Sequence, residues 1–200
     1  MKDLNSDLLQ NASRSGEPIA FDWAREAARH AGTIAHRLLA QIAREGLATW
    51  DSARVAAALG RIRAALERAG VDDADLDRSV ADVAAAVTRL LDDERGRWLF
   101  DPAHADVRSE WALAGVEAGA MVHVVLDLSF VADGVRWIVD FKTGAHEGSD
   151  VDAFLDREVE RYRGQLERYA RFVRALDPRP IRLGLYFPWQ GRWREWPYSG

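Results

Sequence analysis

Apolar and polar positions along the 200-residue chain change period several times, and each change predicts an element. From Phe21 to Arg44 apolar residues recur at helical spacing, with Ala27, Ile34, Leu38 and Ile42 on related faces. Thr49–Ala69 and Asp72–Asp93 predict two more helices, rich in Ala, Arg and Asp, with Gly70 as a C-terminal stop and Asp72 or Asp73 as an N-cap. Trp98–Pro102 predicts a break, Ala105–Leu113 a strand, and Gly115 and Gly119 a turn after it. Two apolar, β-branched runs, Met121–Val131 and Val135–Phe141, then flank Asp133-Gly134, a dipeptide that turns easily through positive φ, and predict a β-hairpin. Ala145–Asp150 is a polar loop carrying His146 and Glu147. It leads into a long amphipathic helix, Phe154–Leu176, which Pro178 and Pro180 end. Ile181–Phe187 and Arg192–Trp196, joined through Gln190-Gly191, predict a last pair of strands, and the polar stretch Met1–Pro18 a flexible tail or linker.

The hairpin carries three ionisable residues, Asp127, Asp140 and Lys142, among Val, Leu, Ile, Phe and Trp. A charge in such a strand is costly to desolvate unless it is paired or holds a metal. Alternation puts Asp140 and Lys142 on one face with Ile138, and pairing about Asp133-Gly134 sets Asp140 almost opposite Asp127. Adjacent carboxylates repel unless a divalent cation lies between them, and hard cations such as Mg²⁺ take carboxylate and water oxygens. A lysine beside them orients a water or holds a phosphate, which completes the equipment for metal-assisted phosphodiester hydrolysis. The tripeptide D-x-K is common on its own, and the same residues also fit solvent-facing strand ends. In the later helix, Tyr162, Gln165 and Tyr169 share a stripe, with Leu166 and Phe172 toward the core. Arginines recur there and just beyond, at 157, 161, 163, 168, 171, 174, 179 and 182, either as a salt-bridged solvated face or in part as a track for a DNA backbone. The terminal aromatics Trp189, Trp193, Trp196 and Tyr198 fit the closing of a sheet edge or a partner interface better than stacking on bases.

An aspartate in an apolar strand, a short turn and then Asp-Phe-Lys-Thr-Gly resembles the core of the PD-(D/E)XK nuclease superfamily. The segments LDLSF and VDFKTG are similar to the RecB/AddA-like nuclease domain at the C-terminus of UvrD-type helicase–nucleases. Gly32-Thr33-Ile34-Ala35-His36-Arg37-Leu38-Leu39 is similar to that family's upstream helix, whose histidine joins the metal site, and Tyr162, Gln165, Leu166 and Tyr169 match its downstream helix. Val124 stands where the family often has glycine, and Leu126 precedes the first aspartate; neither removes a ligand.

The resemblance implies an α/β fold: a restriction-endonuclease-like core whose mixed central β-sheet is flanked by helices, over residues 19–200, with a helical insertion at 49–93. It implies a divalent-metal-dependent deoxyribonuclease, an exonuclease rather than an endonuclease. His36, Asp127, Asp140 and the backbone carbonyl of Phe141 would hold Mg²⁺, with Mn²⁺ as a substitute. Lys142 would activate water, Gln165 and Tyr169 would position the reacting groups, and Glu110 and Tyr162 would lie in an outer shell. The implied partners are DNA, as single strands or duplex ends, and a helicase motor domain or subunit, in DNA-end processing and double-strand break repair. The chain has no Gly-x-x-x-x-Gly-Lys-Ser/Thr phosphate loop of its own. A catalytically silent DNA-binding or scaffold domain, or a structural partner of a helicase, is the alternative.

Composition narrows this further. A hydrophobic fraction of 48% supports one sizeable core. The absence of cysteine excludes disulfides, thiolate zinc sites and the cysteine-ligated iron–sulfur cluster that some RecB-like nucleases carry. A net charge of −5 speaks against a generally basic nucleic-acid coat but not against a nuclease, whose cations neutralise phosphate locally. No apolar run approaches the ~18 residues of a membrane span, and the N-terminus lacks the apolar core of a signal peptide, so the sequence predicts no membrane association and a cytoplasmic location.

Overall fold

The residues described in the computed structural model are 17–144 and 150–200, with side chains from residue 25 onward. They begin with helix α1 (Glu17–Glu45), which ends where Gly46 turns through a φ of 83°. Of the expected tail, Glu17 and Pro18 open this helix, in keeping with proline's tolerance of a first turn. The rest of the tail, and most of the loop with His146 and Glu147, lie outside the described residues. After a short 3₁₀ turn (Leu47–Thr49), α2 (Ser52–Ala69) starts where the Asp51 carboxylate accepts the Arg54 N–H at 2.8 Å, and stops at Gly70, whose φ is 90°. Helix α3 (Asp73–Asp92) follows directly, then α4 (Glu94–Leu99). The expected break at Trp98 therefore comes later: Asp93 caps a further turn by accepting the Gly96 N–H at 2.7 Å, so Trp98 and Leu99 are still helical.

Strands β1 (Ala105–Glu117), β2 (Ala120–Ala132) and β3 (Val135–Phe141) form an antiparallel meander. Helix α5 (Val151–Arg174) then carries the chain to β4 (Ile181–Phe187), parallel to β3, and β5 (Arg192–Pro197) closes the five-stranded sheet in the order β1-β2-β3-β4-β5. Asp133 and Gly134 have φ values of 50° and 75°, the left-handed pair that joins strands without splaying them. The turn expected at Gly115 is displaced to Ala118-Gly119. Gly115 lies in the strand, and its missing side chain leaves room for the Phe172 ring, 2.6 Å from where a Cβ would stand.

Each sheet face is covered. Leu128, Phe130, Val139 and Phe141 pack against Leu39 and Ile42 of α1 and Leu90 of α3. On the other face Leu126, Ile138, Leu183 and Leu185 meet Leu155, Leu166, Ala170 and Val173 of α5. A satellite core of Ala31, Ile34, Ile62, Leu66, Leu76 and Val83 binds α1, α2 and α3 together. The result is the expected mixed sheet flanked by helices, with β3, buried along almost its whole length, at its centre.

Candidate active site

Pairing of β2 with β3 runs from Ala132↔Val135 to Leu128↔Val139 and stops. One step further the Asp127 carboxylate, in place of a backbone carbonyl, accepts the Phe141 N–H at 2.8 Å. Leu126 and Leu128 should face the same way in a regular strand, yet they belong to cores on opposite sides of the sheet, so the alternation slips at Asp127. Across from it on β1, Glu110 adopts a left-handed φ of 51° and drops out of the ladder between Ser109↔Leu128 and Trp111↔Leu126. The slip splits the strands and turns a carboxylate toward the gap, where helices from both layers reach it.

Helix α1 reaches it from one side. It can approach closely because Gly32 has no side chain: a Cβ there would stand 2.4 Å from Thr143 Oγ1. One turn on, His36 Nδ1 lies 3.4 Å from Asp127 Oδ2, and its ring meets Phe141 edge-on. Burial pulls the His36 pKa down, but the hydrogen bond and charge of Asp127, aided by Asp140, outweigh it and the net shift is upward.

Helix α5 reaches it from the other side. Asp140 is buried, and Gln165 Nε2 donates to its Oδ1 at 3.2 Å and to the Tyr169 hydroxyl at 2.6 Å. Lys142 Nζ lies 2.7 Å from Asp140 Oδ2 and stands over the Tyr162 ring, 3.6 Å from its centroid. Burial and the Asp127 charge push the Asp140 carboxyl up to about 6, against the pull of Lys142 and His36. Burial likewise raises the Tyr169 hydroxyl.

The structure thus brings together His36, Asp127, Asp140, Lys142, Tyr162, Gln165 and Tyr169 from four elements, α1, β2, β3 and α5, and the residue after β3. In an extended strand a residue's N–H and C=O leave on the same side, so the Phe141 carbonyl also leaves toward Asp127. Glu110 is exposed and forms the far wall of a cavity of about 330 Å³ shared with His36. A second cavity, of about 630 Å³, opens on the α5 side beside Gln165 and Tyr169.

Among the described residues no three acidic or histidine side chains form a ready-made cation cage. The donors nevertheless suit a hard cation. Asp140 Oδ2 meets the Lys142 ammonium at 2.7 Å, and the carboxylate is buried close enough to Asp127 for the two charges to repel, a pair of oxygen donors that a divalent cation would relieve.

Two other sets of residues admit alternative readings, and the packing decides between them. The arginines of α5 and beyond are mostly engaged: Arg161 with Glu158, Arg163 with Glu160, Arg168 and Arg171 with Glu117, Arg179 with Asp177, and Arg182 with Glu195. They form the salt-bridged face, not a free cationic track. Trp193 fills the space above Gly184 and contacts Trp98 and Trp137, while Trp196 packs against the α5 side, so these aromatics close the sheet. The contact of Gly32 with Thr143, and a buried Arg136 held by Asp177 at 2.8 Å, have no local sequence signature.

A model of the PD-(D/E)XK nuclease superfamily matches residues 14–192, a span that takes in every residue of the candidate site. No curated protein matches the chain.

Proposed function

Because the chain belongs to the PD-(D/E)XK nuclease superfamily, we propose that it is a divalent-metal-dependent deoxyribonuclease, the nuclease module of a RecB/AddA-like helicase–nuclease that acts on DNA ends during break repair. The observation that carries this reading is the meeting of His36 on Asp127 and of Lys142 and Gln165 on Asp140 at one split in the sheet. Asp127, Asp140, His36 and the Phe141 carbonyl would hold Mg²⁺, or Mn²⁺ in its place, in preference to Zn²⁺, because the set offers oxygen donors and one nitrogen. A cation there supplies Lewis-acid polarisation of a phosphoryl oxygen and a more acidic bound water.

The chain's own groups supply the rest. Lys142, fixed between Asp140 and the Tyr162 ring, directs its ammonium at the attacking water and at the charge that develops on the phosphorane-like transition state. Gln165, itself anchored on the Tyr169 hydroxyl, holds Asp140 in orientation. Glu110 stands further out across the cavity, as an outer-shell group.

Cleavage of labelled single-stranded and duplex oligonucleotides with Mg²⁺, beside calorimetric titration with Mn²⁺, tests the reading. Lys142→Ala is expected to lower kcat by roughly 10²–10³-fold without loss of fold, and wild-type activity in that variant would refute the assigned role. A catalytically silent DNA-binding module is the second reading, favoured by the absence of a ready-made cage among the described residues. Oligonucleotide binding without Mn²⁺ uptake or cleavage would establish it.

A further inference from the structure

Helix α1 brings more than His36 to the site. Thr33, Arg37, Ala40 and Arg44 follow one another at spacings of four, three and four, a single helical stripe, and with His36 they line the cavity of about 330 Å³ opposite Glu110. Arg37 and Arg44 are exposed, and among the described residues neither makes an ion pair or a side-chain hydrogen bond. That sets them apart from the arginines on the α5 side, where Arg168 and Arg171 both close on Glu117 at the rim of the other cavity. A paired guanidinium must give up its carboxylate before it can take a phosphate, whereas a solvated one gives up only water.

The spacing has a physical counterpart. Seven residues of α-helix rise about 10 Å, far enough for the two guanidiniums to meet different phosphates of one strand, whose charges recur about every 3.4 Å along the duplex axis. Resting on the nuclease reading of the neighbouring site, we infer that Arg37 and Arg44 are backbone-positioning residues: they grip two phosphates of the substrate strand as it leaves the reaction centre along α1, past His36. The bound strand then runs on the α1 side of the sheet, away from the arginine-rich helix that its composition would nominate. Arg44 also lies in the last turn of α1, where a cation favours the helix terminus, but Arg37 lies well inside the helix and has no such role.

The test uses the full chain and a fluorescein-labelled oligonucleotide, in single-stranded and hairpin-duplex forms, in EDTA over a range of KCl concentrations. Arg37→Gln/Arg44→Gln is expected to weaken binding roughly tenfold. It should also flatten the plot of log affinity against log salt by about 1.4 for a single strand or about 1.8 for a duplex, at 0.7 or 0.9 per lost phosphate contact. Arg168→Gln/Arg171→Gln is expected to leave the slope as it is. In Mg²⁺ the first pair should raise KM with kcat within twofold. An unchanged slope in that pair, an equal loss in the α5-side pair, or no binding by the wild-type chain overturns the inference. The two readings fail separately: a slope lost in a protein that does not cleave leaves the grip standing and sinks the nuclease, while cleavage with unaltered slope and KM does the reverse.

Discussion

The surroundings of Asp140 resist its charge. Its carboxyl is raised even with the Lys142 ammonium at 2.7 Å, so the ionised form costs the fold more in desolvation and in repulsion from Asp127 than the ion pair returns. A group whose folded pKa lies above its unfolded value subtracts stability at neutral pH. Asp140→Asn, which keeps an acceptor for Gln165, is therefore expected to hold or raise the metal-free Tm by about 2–4 °C while abolishing cleavage. In the wild type Mn²⁺ should raise the Tm, by the equivalent of about 2.7 kcal/mol at a hundredfold excess over Kd, and in the variant it should not. Differential scanning fluorimetry with and without Mn²⁺ reads both, and a fall in the metal-free Tm would show the ion pair to be net stabilising.

At the scale of elements, the site depends on how closely α1 lies against the segment after β3. Gly32 sets that distance, one turn before His36. Gly32→Ala adds a methyl group 2.4 Å from Thr143 Oγ1 but gains about 1 kcal/mol of helix propensity, so strain and propensity roughly cancel in stability. The displaced imidazole has no such compensation. The expected outcome is a Tm close to wild type with kcat/KM down about tenfold, and recovery of most of that loss when Thr143→Ala is added. Failure of the second substitution to restore activity would place the effect elsewhere. The slip at Asp127 acts on the same scale, since it converts a strand residue into a group at the mouth of a cleft.

Across the whole molecule, the end of β3 away from the site is tied down by a buried guanidinium. Arg136, 2% exposed, is held by Asp177 at 2.8 Å, by the Asp106 carbonyl at 3.1 Å and by the Asp106 carboxylate, which joins β1, β3 and the α5–β4 connection. Asp177→Asn leaves Arg136 with the Asp106 carboxylate alone and weakens a charge-assisted hydrogen bond, so it is expected to cost about 2 kcal/mol in urea unfolding. Burial pushes the Asp177 carboxyl up, but the Arg179 backbone N–H and the Arg136 and Arg179 guanidiniums outweigh it and hold the pKa below its ordinary value. A depressed carboxyl contributes stability that is complete above its unfolded pKa of about 3.9 and is lost as pH falls through the folded value. The wild type should therefore lose stability between about pH 5 and the lower pKa more steeply than Asp177→Asn, as acid titration followed by circular dichroism would show.

The sequence by itself determined most helices and strands, though not the turn of helix through Leu99 or the extension of β1 past Gly115, and it determined the register of the β2–β3 hairpin and the residues that gather at its open end. Those are carried by short-range periods and by Asp133-Gly134, and ionisable groups in apolar strands betray themselves wherever they fold. Tertiary structure alone decided which charges are free. Glu117 lies some fifty residues from the arginines it neutralises, and Arg136 some forty from Asp177, so no local pattern announces either pairing. The break in alternation at Asp127, the closeness of Gly32 to Thr143 and the openness of Arg37 and Arg44 arise in the same way. Desolvation and charge partnership belong to elements that meet in space, and the chain specifies that meeting only through the packing of the whole.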